Sequence, residues 1–236
     1  MTTLLLIPGL ASDSIVWQPL ADALAPRMPV RHGDIRRDAT IPAMASRLLD
    51  ENERDLIVVG HSLGGRVAME MARQAPRRIA GLVLANTGQY ARREGEEVRR
   101  QQAIDLGNED IGRLADSWLP PMLDPARTGD QALMNRLKAM VMRVGPMVHE
   151  QQVRSLLDRP DASAYLPKIT CPILFVAANQ DGYSPVAQHR EMAEAAPDTE
   201  MAIVDHAGHF APVEQPDDVV RAIEGWLRRR FGGTHG

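Results

Sequence analysis

The chain has 236 residues, 44% of them hydrophobic, which is enough for one large core with an insertion and too few for two independent domains. Its 27 basic and 31 acidic residues are spread along the sequence and leave a formal charge of -4, so there is no electrostatic footprint for nucleic acid or an anionic membrane. No run approaches the roughly 18 apolar residues of a membrane span, and the single cysteine, Cys171, excludes an internal disulfide.

The opening "MTTLLLIPGL" has an apolar run of four residues with no basic segment before it and no cleavage-site pattern after it. That is not a secretory signal, and a cytoplasmic protein is expected. "TLLLIPG" reads as a strand and "WQPLADALA" as a helix. A weaker strand, "MPVRHGD", and a helix, "IPAMASRLLDEN", follow. "DLIVVGHS" leads into the helical "LGGRVAMEMARQ", and "IAGLVLANTG" is again strand-like. Short apolar runs without polar alternation suit strands covered on both faces, as in a parallel sheet.

Between about Gln89 and Leu166 the alternation stops. Helical stretches, "EEVRRQQAIDLG", "EDIGRLADSWLPPML", "DQALMNRLKAMVMRVG" and "VHEQQVRSLLD", are separated by Gly and Pro, and an insertion of this size predicts a cap rather than a loop. Cys171 then precedes Pro172 and "ILFVAA", where a buried, inert thiol is expected. After the strand "PILFVAANQD", Ser184 followed by Pro185 reads as an N-cap with proline at the first helical position. The last strand is "EMAIVDHAGH" and the last helix "PDDVVRAIEGWLRRRF". The pattern predicts a doubly wound α/β fold, a mostly parallel sheet of about six strands with helices on both faces. Residues 1–88 and 166–236 form its core and residues 89–165 a helical cap, within one structural domain.

The strand "DLIVVG" runs into Gly60, His61, Ser62, Leu63 and Gly64, a G-x-S-x-G pattern at a strand-to-helix turn. The bare pattern is weak; its setting between a buried strand and a helix with apolar Val67, Met71 and Ala75 gives it weight. At these residues the chain resembles the α/β-hydrolase superfamily over nearly its whole length. The resemblance implies that Ser62 is a nucleophile and that an oxyanion hole is formed by the backbone N–H groups of Leu63 and, in "IPGLASDSIVW", Leu10. Pro8 stands where relatives often carry histidine, but an N–H donor does not depend on side-chain identity. Many relatives add a β-hairpin before the first strand, and its lack here implies a sheet trimmed to about six strands.

The family order of nucleophile, acid and base implies a carboxylate at the end of a later strand and a histidine after the last one. Asp181 in "NQDGYSP" and His209, paired with Gly208, meet these positions; the end of "GLVLANTGQ" offers Asn86 and no carboxylate. Gly208 is expected to permit the turn that aims the imidazole at Ser62. His206 is then an ordinary loop residue, and Asp205 ends the strand or caps the loop. A metal site is not expected, because His32, His61, His149, His189 and His235 form no ligand spacing with this pair. His61 reads as a packed neighbour of the site. Glu214 resembles an acidic residue that relatives carry after the base, and a supporting role and a surface role both stay open.

No cofactor motif competes with the triad. A serine at position 62 argues against dehalogenases and epoxide hydrolases, which work through an aspartate. In the cap, Trp118, Met122, Met140 and Met147, with Met134 and Met142 nearby, read either as cap-to-core packing or as an adaptable apolar acyl pocket. Arg92, Arg93, Arg99 and Arg100 are balanced by Glu94, Glu96 and Glu97, which reads as a solvated helix face rather than a carboxylate clamp. The resemblance, to capped hydrolases that include pimeloyl-carrier-protein methyl esterases and enol-lactone hydrolases, implies a serine esterase. Its partner would be a small-molecule ester with a small or medium apolar acyl group. Fold and triad leave open a C–C bond hydrolase of ring-cleavage products, or a slow-turnover small-molecule receptor.

Overall fold

The computed structural model of the protein describes residues 2–232, and His235 lies outside them. Six strands are described, β1 (Thr3–Ile7), β2 (Val30–His32), β3 (Leu56–His61), β4 (Ile79–Ala85), β5 (Ile173–Ala178) and β6 (Thr199–Val204), in the sheet order β2-β1-β3-β4-β5-β6. Every neighbouring pair is parallel. Strands β1, β3 and β5 are buried along their whole length, which is why they carry aliphatic residues without alternation. The edge strand β2 is short and mostly exposed, in keeping with its polar Arg31 and His32.

Ten α-helices lie among the described residues: α1 (Gln18–Leu24), α2 (Ile41–Asp50), α3 (Leu63–Gln74), α4 (Glu96–Glu109), α5 (Ile111–Trp118), α6 (Gln131–Val144), α7 (Pro146–Leu157), α8 (Val186–Ala195), α9 (Ala211–Glu214) and α10 (Pro216–Phe231). The period-two geometry of the strands divides their side chains between two layers. Leu4, Leu6, Ile57, Val59, Leu174 and Val176 pack towards α1 and α10. Leu5, Ile7, Val58 and Phe175 pack towards α2, α3 and α8. In α2, Ile41, Met44, Ala45 and Leu48 make the buried face, and the Thr40 hydroxyl accepts the Ala43 N–H at 3.3 Å to cap the first turn.

The helices α4 to α7 form a cap inserted between the adjacent strands β4 and β5. Asp110 and Asp130 accept N–H groups in the first turns of α5 and α6. The apolar faces of these helices, with Leu119, Leu133, Leu137 and Met140, join the core on the α1 and α10 side of the sheet. No helix among the described residues is long and apolar enough to cross a membrane.

Two local expectations are corrected. Ser184 does not cap α8: the cap position falls on Pro185 with no side-chain cap bond, and Ser184 lies in the preceding turn, its N–H donating to Asp181 Oδ1 at 2.9 Å. Cys171 is half-buried rather than buried, and that partial burial pushes its thiol up to about 11, leaving it protonated at neutral pH.

The tightest backbone approach in the fold lies where α3 leaves β3. A Cβ on Gly64 would stand 2.4 Å from the Ile7 carbonyl oxygen, and one on Gly60 would stand 2.3 Å from the Gly64 oxygen. Because backbone rather than a flexible side chain blocks the space, Gly64→Ala is expected to lower the unfolding free energy by about 2 kcal/mol. Urea denaturation measures this; an unchanged midpoint would mean that the loop yields without strain.

Candidate active site

Ser62 sits in the turn between β3 and α3 with φ 52° and ψ −114°, a conformation that L-residues seldom adopt. Backbone hydrogen bonds hold it there, among them one from the Arg66 N–H to its carbonyl at 3.3 Å. Its N–H donates to the Ala85 carbonyl at 2.9 Å, and its own carbonyl accepts the Gly65 N–H at 3.0 Å and the Thr87 hydroxyl at 2.7 Å. Ala11, Asn86 and His206 also have positive φ, and they follow β1, β4 and β6, so the strained residues gather at the carboxyl edge of the sheet. Leu10 and Leu63 line the same cavity as Ser62, and the backbone N–H of neither has a hydrogen-bond acceptor among the described residues.

His209 lies in the turn between β6 and α9. Its Nε2 is 2.9 Å from Ser62 Oγ, and its Nδ1 is 2.9 Å from Asp181 Oδ2. An ionised carboxylate only accepts, so the proton belongs on Nδ1 and Nε2 is left to accept from the serine hydroxyl. Asp181 also accepts the Tyr183 and Ser184 N–H groups at 2.8 and 2.9 Å and the Asn86 side-chain amide at 2.9 Å. Burial would raise the Asp181 carboxyl, but the His209 imidazole and these donors outweigh it and hold the group well below the usual carboxylate range. Asn86, noted in the sequence only for not being a carboxylate, thus orients the acid. Its position at a strand end, two amide protons facing the loops that follow, was the available signal.

His61 packs against His209 and Phe210 with ring centroids 5.3 and 5.4 Å apart. Its Nε2–H donates to the His209 carbonyl at 2.7 Å, and burial, followed by the neighbouring His209, lowers it to about 3, so the ring is neutral. Gly208 serves differently from expectation. It has no positive φ; instead a Cβ there would stand 2.4 Å from the Met122 carbonyl oxygen, so the glycine is needed for a close passage beneath the cap. His206 is exposed, and Asp205 accepts the Asn179 side-chain amide.

Glu214 is neither a surface nor a helix-capping residue. Its carboxylate is buried and accepts the Gly208 N–H at 2.9 Å and the Asp124 N–H at 2.8 Å, tying the residue before His209 to the cap. Alongside it, the His209 N–H donates to the Met122 carbonyl at 2.6 Å. A second tie runs from α7, where buried Gln152 accepts the Ala11 N–H at 2.8 Å and donates to the Ile35 carbonyl at 3.2 Å, steadying the segment that presents the Leu10 N–H.

The sequence profile of the alpha/beta hydrolase family matches residues 4–222. The chain belongs to the alpha/beta hydrolase family. It is 27% identical to pimeloyl-[acyl-carrier protein] methyl ester esterase of Aromatoleum aromaticum, covering 95% of this chain and 98% of that one. A malate-bound thermophilic esterase from Thermogutta terrifontis superposes with TM-score 0.89 at 26% identity, over 98% of this chain and 90% of the other. The enol-lactonase from Burkholderia xenovorans shares the fold, with TM-score 0.85 at 20% identity, over 96% and 91% of the two chains.

In this alpha/beta hydrolase a cavity of about 270 Å³ opens beside Ser62 and His209 between core and cap. Trp118 and Met122 line it, together with Phe210 and Leu156. The expectation for two cap methionines is corrected. Met140 is fully buried in the packing between cap and core, because its side of α6 faces the sheet layer, and Met147 stands in solvent in the first turn of α7. Met134 is partly buried against the same core and Met142 is exposed.

The arginine reading is also corrected: Arg93, Arg99 and Arg100 line the cavity, joined by Arg66 from α3 and Arg159 from beyond α7, while only Arg92 pairs outside it, with Glu97 at 3.3 Å. Glu96 takes a two-pronged ion pair from Arg159, at 2.7 and 2.9 Å, and a third contact from Arg100 at 2.6 Å. Burial would raise its carboxyl, yet Arg159, the Arg93 N–H and Arg100 lower it to about 2.

Two outcomes follow. Glu214→Ala strands two buried N–H groups and is expected to reduce stability by about 2–3 kcal/mol, together with a fall in turnover; chemical denaturation and steady-state rates measure both, and a fully active variant of unchanged stability would contradict the tie. Glu96 has a folded-state value below its ordinary 4.5, so its stabilisation is complete above that pH and is lost as pH falls towards about 2. Denaturation at graded pH should therefore show Glu96→Gln less pH-sensitive than wild type within that window, and equal slopes would refute the assignment.

Proposed function

We propose that the protein hydrolyses carboxylic esters of small or medium acyl groups through an acyl-enzyme on Ser62. The observation that carries this reading is the hydrogen-bonded series from Ser62 Oγ to His209 Nε2 and from His209 Nδ1 to Asp181, 2.9 Å at each link. A neutral imidazole accepting from the hydroxyl can remove its proton as Oγ bonds to the ester carbon, and the fixed carboxylate favours the imidazolium that results. Charge moves onto the former carbonyl oxygen, where the Leu10 and Leu63 N–H groups would donate to it, at the amino end of α3.

Collapse of this intermediate breaks the bond to the alcohol oxygen, which takes the proton from His209 Nε2 and leaves as the free alcohol. Water then gives a proton to His209 and its oxygen to the acyl carbon. The second collapse releases the carboxylic acid and returns the proton to Ser62. The apolar side chains of Leu10, Trp118, Met122 and Phe210 suit the carbon chain of the acyl group. The relatives' names point the same way, one a methyl ester esterase and another a thermophilic esterase. The reading places the enzyme in the cytoplasm, in keeping with a single cysteine that can form no internal disulfide.

Hydrolysis of p-nitrophenyl esters from acetate to laurate tests the proposal. Ser62→Ala is expected to lower kcat/KM by at least about 10³-fold and Asp181→Asn by about 10²- to 10⁴-fold. A Ser62→Ala protein as active as wild type would refute it.

A further inference from the structure

The cavity beside Ser62 is lined by five arginines and one carboxylate, in a chain whose formal charge is -4. The carboxylate, Glu96, is already committed. It pairs with Arg159 and Arg100 and accepts the Arg93 N–H at 3.1 Å, and Arg159 also donates to the Tyr90, Ala91 and Leu156 carbonyls. These groups fasten α4 to the end of α7. The remaining three guanidinia are placed differently.

Arg66 stands one helical turn after Ser62 on α3, with its guanidinium against Gly88, and donates to the Tyr90 carbonyl at 3.0 Å. No carboxylate among the described residues pairs with it, and none pairs with Arg93 or Arg99. Guanidinia with N–H groups still to be satisfied and like charges for neighbours favour a planar anion, which they bind two-pronged. Burial, then Arg159 and Arg100, lower Arg66 to about 9, and an anion at hydrogen-bond distance would reverse that effect. Trp118, Met122 and Leu156 on the same wall suit a few methylenes between such an anion and the reacting carbonyl.

We propose that Arg66, Arg93 and Arg99 form a carboxylate subsite, so that the ester cleaved at Ser62 carries a second, free carboxylate, as in the half-ester of a short dicarboxylic acid. The substrate assignment rests on the serine-esterase reading above; the subsite itself does not. Calorimetric titration of the wild-type protein with glutarate, glutaramide and inorganic phosphate therefore tests the subsite without turnover. Glutarate is expected to bind at least about tenfold more tightly than glutaramide, an uncharged diamide of the same chain length. Arg66→Gln and Arg99→Gln should each weaken glutarate binding by about tenfold. Arg99 lies on the exposed rim of α4 with no partner among the described residues, so its variant tests the site without threatening the fold.

Equal binding of glutarate and glutaramide, glutarate binding unaltered in both variants, or binding of phosphate in place of glutarate would overturn the carboxylate subsite. In steady state, monomethyl glutarate should exceed methyl pentanoate in kcat/KM by about tenfold, with the difference mainly in KM and diminished in both variants. A preference for the neutral ester would overturn the substrate assignment. Loss of all ester hydrolysis alongside Arg-dependent glutarate binding would instead refute the esterase reading and leave the subsite supported.

Discussion

The start of α3 is pressed against the end of β1 so closely that the Gly64 position has carbonyl oxygens of Ile7 and Pro8 where a side chain would begin. This contact decides much else. It brings the turn that carries Ser62 beside the segment that carries Leu10, so residues that follow two separate strands line one cavity. Parallel pairing then supplies the remaining groups, because every strand of such a sheet delivers its following loop to the same edge. Asp181 arrives after β5 and His209 after β6. The strained backbone at Ala11, Ser62, Asn86 and His206 marks the same edge and is sustained by the buried strands beneath it.

Around Ser62, His209 and Asp181, two kinds of polar contact operate. Some lie within the core: Asn86, Tyr183 and Ser184 all donate to Asp181, and Thr87 donates to the Ser62 carbonyl. Others join core and cap, with Gln152 on the Ala11 N–H and Glu214 between Gly208 and Asp124. Each satisfies buried backbone N–H groups that would otherwise be desolvated without a partner, so their energetic importance comes from what would follow their loss.

The sheet was legible in the sequence because five apolar runs of strand length and one weaker strand alternate with amphipathic segments, and the cap because that rhythm stops after β4. Ser62, Asp181 and His209 stood out because each falls at the end of such a run. What the sequence obscured was direction. Methionines at helical spacing do not declare which face is covered, and Met140 and Met147 turn respectively into packing and into solvent. Counting Glu94, Glu96 and Glu97 against the nearby arginines treated as a solvated face a segment whose Arg93, Glu96, Arg99 and Arg100 line the cavity. Arg66 and Arg159 join that helix only through long-range folding, which no local count contains. Ser184 carried a helix-cap signature, but it belongs to the turn that follows Asp181, and the cap position falls one residue later, on Pro185.

The bond from the His209 N–H to the Met122 carbonyl also bears on how such a protein can be rebuilt. The histidine belongs to the core by sequence, yet its backbone is anchored to the inserted segment, and Gly208 is shaped to that segment's path. Cap and core are therefore not interchangeable parts. A cap transplanted from another scaffold would need to present a carbonyl at the same height, and pass the same glycine, before the imidazole could stand over the serine; recombination at the apparent boundaries of the insertion would break the triad's alignment while leaving all three of its residues in place.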